Sequence, residues 1–299
     1  MSKFSWTLLL VASMAGIAAQ YSILKLLDGV VDPYLLAFSR FFVASCALLP
    51  VVIHQRLLRL PPIHEWPFFI MLACFAVVPT IFIVMGVAQA GSIVSAILIN
   101  TNPLLVALIA PFLIGEHMNG KKAAALGVGF LGVIAIVVNG QQIGTIVTSG
   151  HFVGSLLLMA GALLSALNAI YSKGLVRKYN GLYVVFFSVI IGTTILAFVV
   201  ALQGGFSEVA HLAPSTFLWL IVIGVVGTAI PWTAWSSSLK HLEANVAVSF
   251  KLLIPVFAAF YSFIFFTEAF TVWMLLGLLL TSGGIYLVQR EDARPVVVQ

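Results

Sequence analysis

Apolar runs of about twenty residues, the length of helix that crosses a bilayer, alternate along the chain with short polar stretches. Breaking the runs at charges, prolines and glycine clusters predicts ten spans, at 4–24, 33–53, 67–88, 91–114, 121–139, 151–172, 181–203, 215–238, 243–267 and 271–289. A run such as 123–138 is apolar on every helical face. A membrane β-barrel, whose short strands alternate apolar with polar residues, does not read this way. The first run follows Lys3 and has the length of a signal peptide, but Ile17, Ala18 and Ala19 make a weak cleavage site and nine further runs follow. It is read as a retained helix.

Composition agrees. Hydrophobic residues make up 62% of the 299 and charged residues 8%, against roughly a quarter charged in a soluble domain. A water-soluble fold is excluded, and the ten spans leave no length for an extramembrane domain. Cys46 and Cys74 fall inside apolar runs and read as small buried hydrophobes, with no disulfide framework, CxxC pair or zinc pattern. No metal or other cofactor is expected. A net charge of +5 would suggest a nucleic-acid partner in a soluble protein; here the cations sit in short loops and set orientation. With the N-terminus inside, the inner loops collect eleven: Lys3, Arg56, Arg59, Lys121, Lys122, Lys173, Arg177, Lys178, Lys240, Arg290 and Arg294. The outer loops hold Lys25 alone. Both termini are therefore expected in the cytoplasm, in a bacterial inner (plasma) membrane. All six histidines fall in loops or at span ends, which argues against a histidine proton relay at mid-membrane.

Shifting the chain against itself by 152 residues aligns Pro79 with Pro231, Pro103 with Pro255, Glu116 with Glu268 and Gly132 with Gly284. An offset of 150 pairs Tyr21 and Ser22 with Tyr171 and Ser172. The chain reads as a doubled unit: residues 1–140 form a first five-helix repeat, 151–290 a second, and 291–299 a cytoplasmic tail. Five being odd, the second copy enters the membrane the other way up. The expected fold is all-α integral membrane, ten transmembrane helices in two inverted five-helix repeats, a symmetry suited to alternating access.

The stretch 91–138, with Ala96, Pro103, the Gly115-Glu116 ending of one helix and Gly127 and Gly132 in the next, resembles the repeat unit of the drug/metabolite transporter superfamily, in particular the EamA-type exporters. A second copy runs over 243–288 with Pro255, Glu268, Gly277 and Gly284, and Arg40-Phe41 also looks like that family. The resemblance covers nearly the whole chain. It implies a ten-helix bundle with a central cavity that carries small organic metabolites, often amino acids, outward. It implies no particular substrate. One departure stands out: Ile99 in the first copy corresponds to Lys251 in the second.

Pro79, Pro103, Pro231 and Pro255 fall inside spans, where proline removes a backbone hydrogen bond and bends the helix. They read as hinges around a central pathway, the alternative being that they only shape packing. Arg40 and Lys251 are the two cations within spans, and an ionisable group there costs about 2.5–3.5 kcal/mol unless it faces the bundle interior. Small residues share their helical faces, Ala37, Ala44 and Ala47 for Arg40, and Ala244, Ala247, Pro255, Ala258 and Ser262 for Lys251. Both should point inward. The nine acids, Asp28, Asp32, Glu65, Glu116, Glu208, Glu243, Glu268, Glu291 and Asp292, all lie in loops or at span ends. Arg40 cannot practically deprotonate and is read as structural, bonding carbonyls or reaching toward Glu268. Lys251 either meets a substrate carboxylate or takes part in proton exchange, or it snorkels or bonds carbonyls.

Gln20, Tyr21, Asn100, Asn102, Asn168, Tyr171, Trp232 and Trp235 complete the candidate substrate-binding set, since a small-molecule site is largely apolar with a few placed polar groups. Packing is the competing reading for each aromatic. Trp6, Trp66, Trp219 and Trp273 near span ends read as interfacial anchors. Glu116 and Glu268 read as caps for the helices that follow them, at 119–122 and from Thr271 onward.

A P-loop and a soluble domain to house it are missing from the pattern, so ATP-driven pumping by this chain is not expected. Paired aspartates, a Ser-His pair or a metal cluster within spans, which an intramembrane enzyme would need, are also missing. A channel would not require inverted halves. The expectation is a secondary transporter of small organic metabolites, with amino acids leading and export as the direction. Multidrug or cationic-compound efflux, or uptake by the same fold, is the alternative. Proton coupling, facilitated diffusion and exchange remain open, as does monomer against homodimer.

Overall fold

A computed structural model describes residues 3–115, 118–140, 150–238, 250–266 and 270–292. The described residues form helices α1 (Lys3–Leu26), α2 (Pro33–His54), α3 (Trp66–Ala90), α4 (Ser92–Ile99), α5 (Asn102–Ile114), α6 (Gly120–Val138), α7 (Gly150–Lys178), α8 (Gly181–Leu202), α9 (Pro214–Gly224), α10 (Ile230–Ser238), α11 (Leu253–Phe266) and α12 (Val272–Asp292). Among the described residues, nine helical stretches are long and apolar enough to cross a membrane, and α11 is a shorter apolar helix. The protein is all-α and multi-pass. Residues 243–249 of the ninth expected span lie outside the described residues.

Local chemistry explains most boundaries. Asp32 precedes Pro33 and its carboxylate accepts from the N–H groups of Tyr34 at 2.9 Å and Leu35 at 3.1 Å, which caps α2. Asn180 caps α8 in the same way through Leu182 N. Gly91, at φ 85°, makes the one-residue reversal between α3 and α4, a conformation that side-chain-bearing residues resist. The sixth expected span stops at residue 172, yet α7 runs on to Lys178. Lys173 and Arg177 end a membrane span, but nothing in them ends a helix.

Two sequence expectations change here. Pro103 and Pro255 do not bend continuous helices: Pro103 sits in the first turn of α5 after a break at Asn100 and Thr101. Pro255 sits in the first turn of α11 after a 3-10 turn at Phe250–Leu252. Proline is well tolerated at a helix start, so Pro103 marks the discontinuity between α4 and α5, and Pro255 the passage from the 3-10 turn into α11. Cys46 and Cys74 are exposed rather than buried. In an all-apolar helix the face that meets lipid and the face that meets protein have the same composition, and the sequence does not separate them. The same holds for Phe112, 83% exposed, and Phe263, 72% exposed.

Helix pairs close on one another through glycine. A Cβ on Gly132 of α6 would lie 2.6 Å from Thr281 N and 2.7 Å from Gly277 O of α12, and one on Gly284 would lie 2.6 Å from Gly129 N. Such contacts bring the two backbones together, the usual basis of helix association in lipid. Gly86 on α3 and Gly154 on α7 do the same for that pair. Helix α1 packs on α9, α10 and α11, and α2 on α8 and α9. At the starts of α6 and α12 the Asn119 and Thr271 side chains accept from Lys122 N at 2.7 Å and Met274 N at 3.2 Å. Glu116 and Glu268, the expected caps, lie outside the described residues.

Candidate functional site

A cavity of about 320 Å³ lies among α2, α3, α7, α8 and α10. Its polar wall comes mainly from α7, where Ser165, Asn168 and Ser172 recur at three- and four-residue spacing and so share one face. Helix α3 contributes Leu72, Phe75, Ala76, Pro79, Thr80 and Ile83, and α8 contributes Val184, Val185, Ser188 and Val189. Arg40 and Phe41 of α2 and Trp232 of α10 complete it. No carboxylate is among the lining residues. The result is an amphipathic chamber with aromatic rings, a row of hydroxyl and amide groups, and one cation.

Arg40 is held from behind. It is 6% exposed, and its Nε donates to Thr228 Oγ1 at 2.9 Å, across 188 residues of sequence. Thr228 belongs to a π-helical turn, Val225–Ala229, between α9 and α10. Two residues later comes Pro231, which lacks an N–H and whose ring crowds the carbonyl four positions back, so the chain takes a wider turn there. The Thr228 hydroxyl donates to Ile223 O at 3.2 Å. Gly224 lets α2 approach this turn: a Cβ there would lie 2.5 Å from the Val43 side chain and 3.3 Å from Arg40 O. Gln20 packs on the other side, over Gly227, and Tyr21 lies within electrostatic reach of Arg40. Both are buried.

The remaining candidates divide. Asn168, Trp232, Pro79 and Arg40 meet at the cavity, and Asn168 Nδ2 also donates to Leu72 O at 2.9 Å, tying α7 to α3. Tyr171 is largely exposed and stacks on Phe75 at 6.0 Å, one layer out. Pro231 acts through the π turn. Asn100 and Asn102 serve the break before α5, donating to Ala96 O at 2.7 Å and Ala162 O at 3.4 Å. Lys251 is half-buried in the turn before α11 and does not line the cavity. The side chain of Trp235 lies outside the described residues. Ser165, Ser188, Thr80 and Thr228 were not singled out by sequence. A helical stripe through Ser165, Asn168 and Ser172 was the one available signal.

At the end where α2 finishes and α3 begins, the cavity gives way to a cluster of packed rings. Phe69, Tyr179, Tyr183 and Phe187 pack together, with Tyr179 and Tyr183 at 5.0 Å and Phe69 and Phe187 at 6.1 Å. Phe69 lies one helical turn from Leu72, and Tyr183 adjoins Val184. The Tyr183 hydroxyl donates to Arg59 O at 2.8 Å, and the buried Glu65 carboxylate accepts from Lys178 Nζ. These contacts join the α2–α3 connection to the α7–α8 connection.

Residues 4–138, and again residues 152–290, match the EamA-like transporter family. The chain belongs to that family. This EamA-like chain is 26% identical over 286 residues to an uncharacterized transporter of Archaeoglobus fulgidus, covering 95% of this chain and 97% of that one. It is 27% identical over 250 residues to the uncharacterized transporter YvbV of Bacillus subtilis, covering 82% and 79%. It is 24% identical over 260 residues to a probable terminal-alkyne amino-acid exporter of Streptantibioticus cattleyicolor, covering 86% and 84%. A solved protein crystal structure superposes with a TM-score of 0.66 at 17% identity, over 98% of this chain and 100% of that chain, which shows the shared fold. The EamA-like protein is thus a lipid-embedded, multi-pass transporter of small molecules and not an enzyme.

Proposed function

We propose that this chain is a ten-helix secondary transporter, built from two inverted five-helix repeats, that exports amino-acid-type metabolites across a bacterial inner membrane by alternating access. The observation that carries the reading is the cavity itself: α2 and α3 from the first half and α7, α8 and α10 from the second share its wall. Such a chamber changes its exposure when the halves rearrange. The helix pairing supports the symmetry. Helix α3 of the first half packs on α7 of the second, α1 of the first half packs on α9 and α10 of the second, and α6 packs on α12. The Asn119 and Thr271 caps are themselves 152 residues apart. The loop charges favour both termini in the cytoplasm, and on that orientation the aromatic cluster at Phe69 and Tyr183 closes the cytoplasmic end.

Amino acids lead as the substrate class because the chamber joins a cation and hydroxyl groups to apolar walls, and a relative is named as a probable amino-acid exporter. The Arg40 guanidinium on the wall disfavours cationic compounds. Purified protein in liposomes, screened with labelled amino acids, nucleosides, sugars and cationic drugs with and without a pH gradient, tests the assignment. Saturable amino-acid flux is expected. Saturable flux of another class alone would replace the substrate, and flux without saturation would replace the carrier with a channel.

Alternating access needs hinges, and the breaks before Pro103 and Pro255 are the candidates. Pro103→Ala and Pro255→Ala allow the helix to extend back through each break. Transport is expected to slow about tenfold, the effect of ~1.4 kcal/mol on the rate-limiting rearrangement, with membrane levels unchanged. Wild-type rates in both variants would remove the hinge role.

A further inference from the structure

The chamber has a polar end that intramolecular bonds leave unsatisfied. Among the described residues, Arg40 Nη1 and Ser188 Oγ are buried side-chain atoms with no hydrogen-bond partner, and both residues line the same cavity. A buried, unpaired donor of a permanent cation is costly, because the group can neither neutralise itself nor reach water. Thr228 holds the guanidinium through Nε, which leaves Nη1 buried and without a partner on a residue that lines the cavity. Among the described residues no carboxylate lines the wall to serve as its counter-ion.

We infer that Arg40 and Ser188 form the head-group subsite of this cavity and take a carboxylate of the transported solute. This deepens the proposed function and rests on it. Guanidinium and carboxylate match as planar partners joined by charge-assisted hydrogen bonds, and the Ser188 hydroxyl can donate a further bond to the same carboxylate. The apolar body of the solute then lies toward Phe75, Ile83 and Trp232, and Asn168 is available for a second polar group. This is one of the roles that sequence reading offered for Lys251. The π turn at Val225–Ala229 is the positioning device: it presents the Thr228 hydroxyl to Nε and so aims the remaining nitrogens.

The test uses the full chain in proteoliposomes, with labelled substrates from the liposome screen and four competitors of one skeleton: leucine, its keto acid, leucinamide and isoamylamine. In the wild type, leucine and the keto acid should compete, while the amide and the amine should be at least about tenfold weaker, since loss of a charged partner from a buried group is worth more than 1.4 kcal/mol. Arg40→Met should abolish the preference for carboxylates, Arg40→Lys should keep part of it, and Ser188→Ala should weaken carboxylates while leaving the amide unchanged. Melting curves in detergent check that each variant is folded. Equal competition by all four compounds in the wild type would overturn the assignment whatever the variants do, as would a folded Arg40→Met protein that still prefers carboxylates. Transport of only neutral or cationic solutes would leave the carrier standing and sink the subsite. No flux for any class would sink both.

Discussion

Gly284→Ala is expected to destabilise the protein by about 1–3 kcal/mol, the usual cost of overpacking, whereas Gly283→Ala, one position earlier, should be neutral or add up to about 1 kcal/mol. The added methyl differs only in what it meets. On Gly284 it would lie 2.6 Å from both Cα and N of Gly129 and 2.9 Å from the Ala125 carbonyl, all backbone atoms, so α12 and α6 must separate to admit it. On Gly283 it meets nothing within 4 Å and only lowers the entropy cost that glycine brings to a helix. Thermal unfolding in detergent, followed by loss of monodisperse protein, reads both. Equal midpoints for the two variants would mean that the α6–α12 contact is not as close as described. Gly132→Ala should behave like Gly284→Ala, because its Cβ would meet Thr281 N at 2.6 Å.

Lys178→Glu is expected to open the end of the cavity that the aromatic cluster covers. Glu65 is buried and its carboxylate accepts from Lys178; a second carboxylate in that place repels it. With Cys46 and Cys74 first replaced by serine, since both are exposed, Ser172→Cys puts a reporter thiol on the cavity wall. A membrane-impermeant thiol reagent applied from the side where α2 ends and α3 begins should label it at least about tenfold faster in Lys178→Glu than in the wild type. The double exchange Glu65→Lys with Lys178→Glu should restore slow labelling. Fast labelling in the exchanged protein, or slow labelling in the single variant, would remove the pair as a closing contact.

The pH dependence of that contact follows from Lys178. Its hydrogen bond to Glu65 holds the ammonium above the ordinary lysine range, and the same carboxylate raises the neighbouring Tyr179 phenol. A raised lysine pKa stabilises the closed form fully below the free-lysine value of about 10.4 and loses that contribution as pH climbs through the folded value. Wild-type labelling, corrected for thiol ionisation, should therefore stay flat from neutral to mildly alkaline pH and rise only beyond it.

Much of the architecture was legible in the chain alone. Spans, their order, the doubling and the family resemblance rest on runs of apolar residues and on the rare prolines and glycines that interrupt them. Those features act locally or by count, so they survive without coordinates. Asn168 and Trp232 from the expected binding set and Pro79 and Arg40 from the expected structural set all line the cavity; polar, aromatic or kink-forming residues are conspicuous in an apolar background. The pairing of roles was not legible. Sequence reading left Lys251 between a substrate carboxylate, proton exchange, and snorkelling or carbonyl bonding, read Arg40 as structural, and placed both cysteines inside.

Sequence by itself thus determined that this protein crosses the membrane repeatedly and carries the family pattern at both 4–138 and 152–290, since hydropathy and repetition are written along one dimension. Only the tertiary structure decided which faces are exposed, which of the two cations within spans lines the chamber, and that Thr228, 188 residues from Arg40, holds it. The physical reason is that a helix apolar on all sides carries no periodic signal to say which side is which. The choice is made by close backbone approach at a few glycines and by hydrogen bonds between residues far apart in the chain.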